Sequence, residues 1–262
     1  STGQREVWAV VNDAKDHTAG ADAVQTKAEF LALTHELESS TPTKLLMIGR
    51  SNPDSQNPAI TLTEGAVQVS IPVHRLAASV VLESVVNDFS SPAYQKAEIF
   101  RLEAAYLLDV PGRINFGETS EPSALPAEMW YARLAAETAN PRAAILYDNL
   151  SQEMLNYGQT HSVKHTFYAY PNNCSPSEDA VFSPRATVLV LEASIKYASG
   201  WMKYYYPVTL QGGLLSNKQY HVNLTVHRPG STDPNKPVTF NDLTPTITVS
   251  DWDGGDTYSY EI

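Results

Sequence analysis

The last third of the chain constrains the fold most. Four segments there have strand composition and follow one another closely: "HTFYAYP" (His165–Pro171), "ATVLVLEASIKY" (Ala186–Tyr197), "KYYYPVTL" (Lys203–Leu210) and "KQYHVNLTVHR" (Lys218–Arg228). In the last of these Tyr220, Val222, Leu224 and Val226 recur at every second residue, the period of a strand with one face in a core. A further strand, "TITVSDW" (Thr246–Trp252), follows a loop in which Pro229, Pro234 and Pro237 exclude regular structure, and "TYSYEI" continues extended. Strands this short and frequent, without repeating strand–helix units, predict a mainly β protein built of β-sandwiches with a few short helices. They argue against a doubly wound α/β fold.

The first third fits the same class. "REVWAVV" (Arg5–Val11) reads as a strand and "KLLMIG" (Lys44–Gly49) as a short buried one. Between them "TKAEFLALTHELESS" reads as a helix: Thr26 and Glu29 have capping-box spacing, and Phe30, Leu33 and Leu37 recur on one face. Val67, Val69, Ile71 and Val73 alternate at period two, and "AASVVLESVV" (Ala77–Val86) reads as another strand, with helix left open for so short an apolar run. The turn-rich "NDFSSPAY" (Asn87–Tyr94) marks a domain boundary, dividing the chain into 1–92 and 93–262. Beyond it Phe100, Leu102, Ala104, Tyr106, Leu108 and Val110 alternate, and "AEMWYARLAAE" is expected to be a short helix behind Pro126.

Composition excludes several classes of function. With 42% apolar and 18% charged residues in 262, the chain can bury a real core. A net charge of −11 repels phosphate backbones, so no nucleic-acid partner is expected. Cys174, the only cysteine, can form neither an internal disulfide nor a thiolate zinc site, and reads as an inert thiol in a loop. No stretch approaches the roughly 20 apolar residues of a membrane span, and no signal peptide precedes the first strand. So abrupt a start suggests a processed or trimmed chain.

The candidates for chemistry are weak. Asp251, Asp253 and Asp256, with Gly254 and Gly255, suggest a calcium loop, but Trp252 interrupts them and "TYSYEI" lacks the ligands of an EF-hand, so a polar bend fits better. His161 and His165 have helical metal-ligand spacing but lead into a strand, where residues four apart stand about 13 Å from each other. They are expected to face solvent. No nucleotide loop, nucleophile elbow or zinc-protease motif is present. Asn149, Asn173 and Asn223 fit the N-x-[ST] sequon, which has meaning only in a eukaryotic secretory pathway. Trp201, Tyr204 and Tyr205 form a candidate surface patch that could stack on sugar rings, with a strand half in the core as the plainer reading. No catalytic residue, cofactor or metal is expected, and no enzymatic activity.

Three stretches together resemble the FimA-type fimbrillins, the pilins of Bacteroidales type V pili. They are "STGQREVWAVVN" with the helix and "LLMIG" after it, "HRLAASVVLESV", and "LLSNKQYHVNLTVHRPGSTDPNKPVTFNDLTPTITVSDW". The third is the most specific, through Asn217, Tyr220, Val222, Leu224, Thr225, Val226, Pro229, Gly230, Asp233, Pro234, Pro237 and Trp252. Residues 118–159 lie outside the resemblance. It implies two transthyretin-like β-sandwich domains in series and a lipidated precursor, exported and anchored at the outer membrane. That anchor is the only membrane contact it implies. It implies a structural subunit of an adhesive cell-surface fimbrium, with other pilin subunits and host or bacterial surface ligands as partners. It further implies that a protease removes an N-terminal strand and that the next subunit's C-terminal region fills the vacated groove. On this reading Thr246, Ile247, Thr248, Val249, Trp252, Tyr258 and Tyr260 belong to a donor segment. Family members carry further strands before the first matching stretch, so the first domain is expected to lack its opening strands. A tip or accessory pilin, or a glycan-binding surface sandwich, is the alternative.

Overall fold

The computed structural model describes residues 2–13, 15, 17, 23–53, 56–65, 67–118, 122–132, 143–175, 185–210, 212–252 and, as backbone only, 257–261. The first part contains β1 (Gly3–Arg5), β2 (Trp8–Val11), α1 (Lys27–Ala32), β3 (Thr34–Glu36), β4 (Met47–Arg50), β5 (Ile60–Leu62) and β6 (Gln68–Arg75). Then come β7 (Ala78–Asn87), β8 (Phe100–Leu108), β9 (Val110–Pro111), β10 (Arg113–Asn115), β11 (Trp130–Tyr131), β12 (Tyr147–Met154), β13 (Thr160–His161) and β14 (His165–Ala169). The chain continues through β15 (Val188–Tyr197), β16 (Gly200–Thr209), β17 (Lys218–Val226), β18 (Leu243–Asp251) and β19 (Thr257–Glu261).

Two sheets enclose the main core. One runs β12–β8–β15–β16, all antiparallel. The other runs β7–β17–β18, with β13 and β14 both paired to the outer side of β7. Leu102, Leu189, Leu191 and Ile195 from the first meet Val80, Leu82, Phe167, Val222, Leu224 and Val226 from the second in one cluster. The alternation seen in β17 is therefore its core face. The loop after β17 folds back on β16, where Tyr205 and Ser231 exchange backbone hydrogen bonds of 2.8 and 3.0 Å.

A third, smaller sheet runs β19–β6–β4–β2. Val69, Ile71 and Val73 of β6 join Ala9 and Met47 in a separate small cluster. Gly49 is required where β4 crosses β6: a Cβ there would lie 2.0 Å from the carbonyl oxygen of Pro72.

Three expectations change. The helix foreseen over 26–40 stops at Ala32, although its Thr26–Glu29 capping box forms as read. Thr34–Glu36 is instead drawn out as β3 against β10, so a long-range pairing overrides helix propensity. The helix foreseen from Ala127 is a single 3-10 turn, Ala127–Met129, followed by β11 paired with β9; its remainder, from 133, lies outside the described residues. His161 and His165 are only 3% and 7% exposed, against the expected solvent face. The chain does not run straight from one to the other: Val163 swings out to 61% exposure, and both rings turn inward. The boundary expected at residue 92 falls after β7, and β7 is hydrogen-bonded in parallel to β17 in the second main sheet. We propose that the two halves divide instead between β6 and β7, near Leu76.

Candidate functional site

The candidate donor segment splits into two strands that serve two different sheets. Leu243–Asp251 lies antiparallel to β17 through nine consecutive pairs. Leu243 is buried, Pro245 and Ile247 are partly covered, and Ile247 packs on the main core. Val249 points to the same side but is 51% exposed. Thr244, Thr246, Thr248 and Ser250 line the outer face. Among the described residues no strand pairs with the far edge of β18, which leaves its unpaired backbone groups as a template for another chain.

Thr257–Glu261 serves the small sheet. It runs antiparallel to β6 with Tyr258 opposite Ile71, Ser259 opposite Ser70 and Tyr260 opposite Val69. The C-terminal strand thus occupies the edge of the N-terminal sheet within its own chain. Asp253, Gly254, Gly255 and Asp256, the centre of the calcium candidate, lie outside the described residues; Asp251 ends β18 in an ion pair with Lys218. Among the described residues no group of three or more His, Cys, Asp and Glu could hold a metal ion.

Trp252 fixes the point where the chain leaves one sheet for the other. Its backbone N–H donates to the Asn217 carbonyl at 3.1 Å. Its ring stacks on Tyr168 with centroids 5.7 Å apart and planes 12° from parallel, and the Arg75 guanidinium lies 4.7 Å from its centroid. Burial pushes the Tyr168 phenol above its ordinary value, so it stays neutral against the indole. Asn217 also reaches the other half: its Oδ1 accepts from the Arg75 N–H at 3.3 Å. Asn217 has φ 58°, a left-handed conformation that asparagine tolerates better than most residues. Asn217 and Trp252 were singled out by the family resemblance, and Arg75 lies within one of its stretches; Tyr168 carried no such signal, because only the tertiary fold brings it there.

The aromatic candidates do not converge. Strand alternation puts Trp201 and Tyr205 on one face of β16 and Tyr204 on the other. Tyr204 faces the core side, its hydroxyl 2.9 Å from that of Tyr197. Trp201 is 37% exposed, but Arg101 lies 4.2 Å from its ring centroid and Lys196 5.8 Å, so cations take up ring surface a sugar would need.

No family profile and no curated protein matches the sequence. Solved structures do match by fold. A candidate cell adhesion protein from Bacteroides eggerthii superposes with a TM-score of 0.66 at 18% identity, over 94% of this chain and 77% of its own. A candidate cell adhesion protein from Parabacteroides distasonis gives 0.63 at 17%, over 96% and 84%. A fimbrilin from Porphyromonas gingivalis gives 0.57 at 16%, over 96% and 81%. The mainly β fold is thus that of fimbrilin-like β-sandwich proteins, and the resemblance read from the sequence holds at the level of the fold. These neighbours are candidate cell adhesion proteins and a fimbrilin.

Proposed function

We propose that the protein is a structural pilin subunit that assembles into a cell-surface fimbrium by exchanging its C-terminal strand between copies. One observation carries the reading: β19 pairs with the edge strand β6 of a sheet that belongs to the other end of its own chain. A strand joined to its sheet only from that distance can be supplied by any copy of the same segment. Main-chain hydrogen bonds give such strand addition its strength, and side-chain alternation gives its register. Head-to-tail exchange that does not close on itself builds an open filament. Trp252, clamped by Arg75 and Tyr168, is the pivot about which residues beyond it would swing outward. The fimbrilin-like fold supports the same reading, together with a location at the cell surface. The reading assigns the protein no catalysis.

The test compares the chain with a variant lacking residues 257–262, which leaves the pairing of β17 with β18 intact. Both are concentrated, run on denaturing gels without boiling, and viewed by negative-stain electron microscopy. The full chain should give SDS-resistant ladders and filaments, and the shortened one a folded monomer. Filaments of normal length from the shortened chain would sink the proposal.

A further inference from the structure

The two buried histidines form the centre of a continuous polar chain across the main sandwich. His161 Nδ1 lies 3.0 Å from Glu153 Oε2, the two Nε2 atoms are 2.9 Å apart, and His165 Nδ1 lies 2.7 Å from Asp148 Oδ2. The carboxylates come from β12 in one sheet and the histidines from β13 and β14 in the other, so the chain stitches the two sheets together.

Irregular backbone builds it. Ser151 and Gln152 have φ of 56° and 57°, and this left-handed kink shifts the register of β12 on β8 between Asn149 and Glu153. Asp148 and Glu153, five apart, would otherwise point to opposite faces of a strand. Both now turn toward the histidines.

The geometry distinguishes a proton from a metal. The imidazole planes are 11° apart with centroids separated by 5.1 Å, close to the nitrogen separation plus the two ring radii. The rings therefore lie edge to edge in nearly one plane, with the Nε2 atoms head to head. A metal between head-on nitrogens, each about 2.0–2.1 Å from it, would hold them about 4 Å apart. At 2.9 Å the gap fits one N–H···N hydrogen bond.

Proton counting then gives a result that no single contact does. The chain has three contacts, and each needs one proton. Two neutral imidazoles carry two. If only those two are present, either a bare ring nitrogen faces a carboxylate at 2.7 or 3.0 Å or two bare Nε2 atoms face each other at 2.9 Å, lone pair to lone pair. If four are present, two N–H groups meet head-on. We propose that Glu153, His161, His165 and Asp148 form a proton-binding site that holds one imidazolium shared between the two rings.

Neighbouring charges are engaged elsewhere. On β7, Glu83 pairs with Lys164 and His221. On β8, Arg101 pairs with Glu103. The carboxylates of β12 thus balance the shared charge.

Histidine-selective 15N NMR of the whole chain at neutral pH tests the site. Three of the four ring nitrogens of His161 and His165 should be protonated. Two of four, wherever the bare nitrogens lie, would overturn the proposal. Asp148→Asn supplies the discriminating variant, because an amide can donate to a bare His165 Nδ1 and complete the chain with two ring protons. It should fold and lose the third proton. The same NMR pattern in Asp148→Asn as in the parent would also overturn it.

Discussion

The C-terminal sandwich buries Phe100, Phe167 and Tyr206 to 1% exposure or less, whereas the small N-terminal sheet gathers five buried residues, Ala9, Met47, Val69, Ile71 and Val73. The first closes its core with two four- or five-stranded sheets. The second takes its outer strand from the far end of the chain. Hydrophobic stabilisation grows with the apolar area removed from water, so the two regions should differ in stability even though they share one chain. A well-closed region is suited to carry load. A region finished by a borrowed strand is suited to exchange.

The comparison can be broken by mutation. The largest effect is expected from Phe100→Ala, whose ring meets Phe89 at 5.1 Å and Tyr206 at 6.4 Å. Urea unfolding should show a loss of about 3–5 kcal/mol, the usual range for a buried aromatic. Gly49→Ala should act on the other region alone. Its methyl group meets the Pro72 carbonyl, and the displacement should cost about 1–3 kcal/mol. In hydrogen exchange, protection should fall in β2, β4 and β6 while β7, β15 and β17 keep theirs. Equal loss in both regions would mean that the small sheet has no independence.

His35 gives a pH handle on the junction. It is buried beside Tyr170, with its Nδ1 2.6 Å from the phenolic oxygen, and burial holds its imidazole below the ordinary value. Between that lowered value and the unfolded one the unfolded chain binds more protons. Stability is therefore complete above the unfolded value and is lost as pH falls toward the folded one. In His35→Gln the acid side of the stability–pH curve should flatten. The smallest effect is expected from Thr26→Ala, which removes the cap of a six-residue, exposed helix; thermal unfolding should report a loss of about 0.5 kcal/mol.

What could be read from the sequence was local. Alternation in β17 and β6 marked their buried faces, and Thr26 with Glu29 marked the helix start, because period and capping act over a few residues. Pairing across the chain was not legible. Thr34–Glu36 looks helical until β10 is beside it, and nothing in "AASVVLESVV" says that β7 will run parallel to β17. The histidine chain was hidden for the same reason. The kink at Ser151–Gln152 and the excursion of Val163 break the regular spacing on which a sequence argument depends. The segment from Thr246 to Trp252 was legible as a strand, but not as a strand already held by its own sheet.

The most direct test of the account uses the pairing of Ser70 with Ser259. Antiparallel partners stand about 4.5–5.5 Å apart at Cα, within the span of a disulfide. In a Cys174→Ser background, Ser70→Cys and Ser259→Cys are combined, and the protein is oxidised once as dilute monomer and once after assembly. The account predicts a bond within one chain in the monomer and bonds between chains in the assembled material, read by non-reducing gels and peptide mass spectrometry. Filaments whose only bonds lie within single chains would contradict it.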